Sequence, residues 1–296
     1  MLLLDRDKPD FETDGAHWPH RVHSRFVSAS GLTFHVQQMG EGPDLVLFHG
    51  TGASTHSFRA MMSLLATDYR VTAFDLPGHG FSQTPVFTRL TLPEVSRASA
   101  DLLSTLDIQP VALVGHSAGV PVALRMSLDG RVAPQAIVGF NASIRPYAGA
   151  AAPLFSAMAR VLFVNPMTPR IFAATATPRR VEQLLANTGS RLDAEGVGLY
   201  QTLFRRAGHV AGALGLMAGW ELKPLNVDLP GLTVPLTLVA GTRDRTIPPA
   251  HAASSAREVQ HGTVVRMMGL GHLAHEEDPA AAAAIVREAL AEVTPP

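Results

Sequence analysis

The segment Gly115-His116-Ser117-Ala118-Gly119 sets a serine between two glycines. It directly follows the apolar run Val111–Val114 and leads into a helix-forming stretch, Ala118–Leu128. A turn that tight between a strand and a helix crowds its own backbone. Glycines on both sides relieve the crowding while the serine hydroxyl is held above the strand's carboxyl end. The helix N-terminus beneath it favours negative charge. Ser117 is therefore a candidate nucleophile. The bare pattern also occurs as an ordinary Gly/Ser turn capping a helix, and the strand before it and the helix after it are what favour chemistry.

A serine hydroxyl attacks only when a base takes its proton, and the base must itself be held by a third group. For a nucleophile on a strand-to-helix turn, the acid and then the histidine follow later in the chain. Leu236–Ala240 reads as a strand ending in Gly241-Thr242-Arg243-Asp244, which puts Asp244 just past a carboxyl end, where open α/β sheets build their sites. Asp228 lies before that strand, on the wrong side. The flanking Arg243 and Arg245 offer Asp244 an alternative life in an ion pair. Val264–Met268 is a further strand, followed by Gly269-Leu270-Gly271-His272. His272, on a glycine-rich loop, can fold back over the serine. His275 starts or flanks the last helix with Glu276 and Glu277, and is the weaker candidate.

Acyl transfer also needs donors for the oxyanion, each typically worth about 3 kcal/mol in the transition state. The amide of Ala118, next after the serine, is one candidate. The amide of Thr51, in the loop His49-Gly50-Thr51-Gly52 after the strand Leu45–Phe48, is the other.

The elements that must position these groups alternate between strand and helix. Ser24–Ala29 and Leu32–Met39 read as strands joined by a Ser30-Gly31 turn, forming an antiparallel edge. Leu45–Phe48, Val71–Phe74, Val111–Val114 and Ala136–Phe140 read as short buried strands, with a helix over Leu92–Leu106. From Ala142 to Asn226 the rhythm becomes helical and proline-broken; it returns to strand–helix units from Leu236, ending in a helix over Pro279–Val293. This pattern predicts a mostly parallel sheet flanked by helices, with residues 1–141 and 227–296 as the core and 142–226 as an inserted helical cap.

Composition narrows the chemistry. Among 296 residues there is no cysteine, which removes disulfides, thiolate nucleophiles and thiolate metal sites. His17, His20, His23, His35, His209, His251 and His261 show no ligand spacing, so no metal and no cofactor is expected. Asp75 and His79 sit in a turn and read as loop stabilisers. A formal net charge of −1 gives no reason to expect nucleic acid as a partner. The three N-terminal leucines are too few for a signal peptide, and Val210–Trp220 is too short to cross a bilayer, so no transmembrane segment is expected. These features predict a cytoplasmic protein, with a peripheral position on the inner membrane left open.

Taken together, His49-Gly50, Asp75-Leu76-Pro77-Gly78-His79-Gly80, Gly115-His116-Ser117-Ala118-Gly119, Asp244 and Gly271-His272 resemble the α/β-hydrolase superfamily, over roughly Ser24 to Val293. The resemblance implies an α/β-hydrolase fold with an eight-stranded sheet. A narrower resemblance, to the BchO family of magnesium-chelatase accessory proteins of bacteriochlorophyll synthesis, rests on four stretches. They are Trp18-Pro19, Phe34-His35-Val36-Gln37, His49-Gly50-Thr51-Gly52-Ala53 with Thr55-His56-Ser57-Phe58-Arg59, and Gly115-His116-Ser117-Ala118-Gly119. It implies a role near magnesium insertion into protoporphyrin IX, with a magnesium chelatase subunit as a candidate partner. In the cap, Leu154, Phe155, Met158, Leu162, Phe163, Met167, Ile171 and Phe172 read either as helix core or as an apolar pocket for a tetrapyrrole-like or other small-molecule substrate. Arg160, Arg170, Arg179, Arg180, Arg205 and Arg206 read either as a solvated face or as partners for propionates.

Overall fold

The computed structural model describes residues 7–145, 165 and 167–293. Eight strands run in chain order: β1 (Ser24–Ala29), β2 (Leu32–Met39), β3 (Asp44–Phe48), β4 (Arg70–Phe74), β5 (Pro110–His116), β6 (Ala136–Phe140), β7 (Leu236–Gly241) and β8 (Gly262–Met267). They form one sheet in the order β1-β2-β4-β3-β5-β6-β7-β8. Strands β1 and β2 pair antiparallel, as does β2 with β4; every later pairing is parallel. This is the α/β-hydrolase fold, and the antiparallel edge is where the Ser30-Gly31 turn predicts it.

Successive side chains of a strand point to opposite faces. In β3, Val46 and Phe48 accordingly face one helical layer and Leu45 and Leu47 the other. The first layer holds α2 (Leu92–Thr105) and α3 (Gly119–Leu128). The second holds α1 (Arg59–Leu65) and the C-terminal helix Pro279–Ala291. The alanine run in that last helix serves close approach: Ala282 and Ala283 are fully buried on the sheet. Parallel strands feeding helices in one direction leave all their carboxyl ends on one edge, and loops from β3, β5, β6, β7 and the segment after β8 converge there.

Between β6 and β7 lie α4 (Met167–Thr175), α5 (Pro178–Asn187), α6 (Ala194–Phe204), α7 (Ala207–Ala218) and α8 (Lys223–Asp228). Thr177 and Asp193 cap α5 and α6 by accepting from amides three residues on. The apolar stretch around Val210 is α7, apolar nearly all round and buried accordingly. A Cβ on its Gly212 would strike the carbonyl of Gly78, so this helix rests backbone to backbone on the loop after β4. Leu154, Phe155, Met158, Arg160, Leu162 and Phe163 lie outside the described residues. Sequence periodicity does not single out α1, which is only two turns long. A second short helix, α10 (Ala274–Glu277), follows α9 (Ala250–Ala256) and precedes the C-terminal helix, α11.

Candidate active site

Ser117 has φ of 49°, a left-handed conformation that costs a non-glycine residue about 1 kcal/mol or more. Its surroundings enforce it. The Ser117 amide donates to Phe140 O (2.9 Å), and its carbonyl accepts from Ser143 N (3.1 Å) and Val120 N (3.3 Å). The two glycines of the turn are required by contact rather than flexibility. A Cβ on Gly115 would lie 2.7 Å from Val120, and one on Gly119 would collide with the Phe48 carbonyl. Pro121 falls in the first turn of α3, where its missing amide has no carbonyl to bond.

Three of the sequence candidates meet. Ser117 Oγ lies 3.1 Å from His272 Nε2, and His272 Nδ1 lies 2.8 Å from Asp244 Oδ2. All three are buried to within 9%. Asp244 is held by more than the histidine: Asn141 Nδ2–H donates to Oδ2 (2.8 Å), and the amides of Thr246 (2.7 Å) and Ile247 (2.9 Å) donate to Oδ1. Among the described residues no ion pair joins Asp244 to Arg243 or Arg245. With Oδ2 facing the ring, Nδ1 carries a proton and Nε2 presents its lone pair to the serine.

The other candidates go elsewhere. Asp228 pairs with Arg125 at 2.6 Å, away from this edge. His275 is buried behind the site, its ring 4.3 Å from that of His116 and stacked among Phe58 and Phe140. Neither of its nitrogens has a hydrogen-bond partner among the described residues. Burial, with His272 and Arg59 nearby, pushes its pKa down to about 3, so it is a neutral ring at pH 7.

The loop after β3 is set by two histidines that spacing alone did not mark. His49 Nε2 accepts from Leu76 N (2.9 Å), so its Nδ1–H donates to Gly50 O (2.7 Å). His209 Nδ1 accepts from Gly80 N (3.0 Å), so its Nε2–H donates to Gly52 O (3.1 Å). In a trans peptide the carbonyl and the next amide point in opposite directions. Pulling the Gly50 oxygen one way therefore turns the Thr51 amide the other. Ala118 is the N-cap of α3, so its amide has no partner inside the helix. Both histidines are neutral: burial lowers His49, and lowers His209 to about 3. Asp75 anchors the same region from beneath. Its oxygens take Thr55 N (2.8 Å), Phe81 N (2.9 Å) and His35 Nδ1 (2.9 Å). Burial works against its charge, but His35, His49 and the Thr55 amide outweigh that and hold its carboxyl well below the usual range. Arg206 is committed to Asp14 (2.7 Å) and Asp7 (3.6 Å).

Sheet order, helix layers and a serine on a strained strand-to-helix turn together define a class, and the chain belongs to the alpha/beta hydrolase family, whose model matches residues 45–285. Over 264 residues it is 40% identical to the magnesium-chelatase 30 kDa subunit of Rhodobacter capsulatus, covering 88% of this chain and 92% of that one. It is 31% identical over 245 residues to a pimeloyl-[acyl-carrier protein] methyl ester esterase of Xanthomonas campestris, covering 80% of this chain and 91% of that one. Among solved structures it superposes on the epoxide hydrolase CorEH with a TM-score of 0.77 at 20% identity, over 92% of this chain and 99% of that one. The enol-lactonase of Burkholderia xenovorans LB400 gives a TM-score of 0.72 at 19% identity, over 90% and 100%. These two share the fold. No helix among the described residues is long and apolar enough to cross a membrane.

Proposed function

We propose that the chain is a cytoplasmic serine hydrolase, using Ser117, His272 and Asp244, that cleaves an ester or related acyl bond in bacteriochlorophyll synthesis, around magnesium insertion into protoporphyrin IX. The observation that carries the chemistry is the unbroken chain of hydrogen-bonding distances from Ser117 Oγ through His272 to Asp244, 3.1 and 2.8 Å. The pathway assignment is supported by the chelatase-subunit name of the relative from Rhodobacter capsulatus.

The geometry supports the following cycle. His272 Nε2 takes the Ser117 proton as Oγ bonds to the acyl carbon, and the carbonyl π pair moves to oxygen between the amides of Thr51 and Ala118. The pair returns, the carbon–oxygen bond to the leaving group breaks, and that oxygen takes the proton from Nε2. Water then repeats the sequence on the acyl-enzyme: its proton goes to His272, the acid departs, and Ser117 recovers its hydrogen. Asp244 stays ionised throughout and steadies the imidazolium. No metal or cofactor enters any step. Residues 142–226 act as the cap, with the substrate beneath it, against a core of 1–141 and 227–296; helices α4–α7, with most of α8, supply the cap's described part.

Replacing Ser117 with Ala in the phototrophic host, with protein levels checked by immunoblot, tests this reading. Loss of bacteriochlorophyll with accumulation of protoporphyrin is the expected outcome. Normal pigment with the Ser117→Ala protein would favour a second reading, a tetrapyrrole-binding accessory of magnesium chelatase that performs no hydrolysis, which the relative's name also supports. Normal pigment in a full deletion would leave a general carboxylesterase, the reading that the esterase relative supports.

A further inference from the structure

We propose that Ser190 is a positioning residue for His272, at the centre of a clamp in which the α5–α6 junction holds the histidine loop against the Asp244 loop. The inference rests on the triad reading above and adds a residue to it from the inserted helices. Ser190 Oγ accepts the amide of Leu273 at 2.8 Å, and Ser190 itself is 1% exposed. One residue before the histidine, the Gly271 amide donates to Glu277 Oε1 (2.8 Å), while Glu277 Oε2 takes the amide of Arg191 (3.0 Å). His116 Nε2–H closes the set on the His272 carbonyl at 2.9 Å.

The acid's loop is held by the same junction. Arg245 N donates to Thr188 O (3.0 Å), and Arg243 N to Leu270 O (2.8 Å). Gly189 adopts φ of +91°, and a Cβ there would overlap the Arg243 carbonyl. A Cβ on Gly271 would overlap Gly189, and one on Gly241 would overlap the Gly271 carbonyl. Three backbones, from the junction, the histidine loop and the end of β7, therefore touch directly where no side chain fits. The two peptides flanking His272 are held at three groups, the Gly271 carbonyl, the His272 carbonyl and the Leu273 amide, and the Gly271 amide fixes the peptide before them. Freeing the Leu273 amide leaves the 272–273 peptide held by His116 alone, so that it turns about that bond and shifts Nε2 away from Ser117. Misplacement of a reacting group by about 1 Å costs on the order of 100-fold in rate. Ser190 forms none of the distances that make up the triad, so its loss acts on turnover and not on substrate affinity.

The test compares wild type, Ser190→Ala, Ser190→Thr and Gly189→Ala with p-nitrophenyl butyrate as substrate and with a fluorophosphonate probe of Ser117. Two structural readouts accompany it: hydrogen–deuterium exchange over residues 269–274, and the downfield proton NMR signal of the His272–Asp244 hydrogen bond. Ser190→Ala is expected to lower kcat and the labelling rate by about 10-fold or more with KM within about two-fold. It should also speed exchange at Leu273 and broaden the downfield signal. Ser190→Thr, which keeps the acceptor, should restore all four, and Gly189→Ala should exceed Ser190→Ala. Unchanged kcat and labelling in a folded Ser190→Ala protein overturn the clamp and leave the triad standing. If wild type neither hydrolyses the ester nor takes the label, the triad reading fails. The clamp is then judged by the downfield signal alone, and an unchanged signal in Ser190→Ala overturns it.

Discussion

Asn141 is the least conspicuous member of the site. Its side-chain amide spans Asp244 Oδ2 and the Gly271 carbonyl, at 2.8 and 3.2 Å, and so fixes the acid and the histidine loop at once. A hydrogen bond to a charged group is worth about 1.5–3 kcal/mol. Asn141→Ala is expected to lower kcat/KM for an activated ester by about 10-fold or more, read against wild type at one pH. Behind the site, His275 is a polar ring in an apolar slot, with both nitrogens unpaired among the described residues. A phenylalanine fits the Phe58 and Phe140 contacts without burying a polar atom. His275→Phe should match or exceed wild-type stability at pH 7 by urea unfolding, and a loss above about 1 kcal/mol would contradict the slot as described.

At the level of elements, the strand-to-helix turn from β5 into α3 stores strain at Ser117 and depends on β3 lying close behind it. Gly119 has no room for a Cβ against the Phe48 carbonyl. By contrast, Gly231 faces open space and has no positive φ. Gly119→Ala is therefore expected to cost more than about 3 kcal/mol, while Gly231→Ala stays within about 1 kcal/mol. Differential scanning calorimetry of the two variants checks the contrast. Equal losses would mean that the elbow tolerates displacement from β3. The α5–α6 junction is a second such contact: Gly189 plays toward the Asp244 loop the part that Gly119 plays toward β3.

Across the whole molecule, folding buries an unusual number of neutral histidines. His209 and His275 are held near 3 by burial, His56, His79 and His116 are also pushed well down by burial, and His49 is lowered by it too. Unfolded, each takes up a proton near pH 6.5. Below that pH the unfolded chain binds more protons, so stability falls as the pH drops from 6.5 toward 3. Each group contributes about 1.4 kcal/mol per pH unit. Glu276 opposes this by one proton. Burial raises its carboxyl to about 7 despite Arg59 and Tyr200, each 2.7 Å away, so its contribution is present below 4.5 and lost as pH rises through 7. These rings outnumber Glu276, which decides the sign. The urea midpoint should fall steeply between pH 6.5 and 5, and His275→Phe should flatten that slope by about one proton. A flat profile would place these rings in water.

The sequence by itself determined most of the local structure and singled out the candidate site residues in their order along the chain. Short apolar runs and the turn residues beside them located every strand to within about two residues. The same reading put Ser117, Asp244 and His272 at three carboxyl ends, because a strand's end is marked by its own turn residues. Only the tertiary structure decided what holds those groups in line. Asn141 reaches Asp244 across 103 positions, His209 reaches Gly52 across 157, and Ser190 reaches Leu273 across 83. No local pattern records such pairs. Each is a single polar atom meeting a backbone group or carboxylate, and it gains its partner only when the sheet order and the inserted helices bring distant loops to one edge.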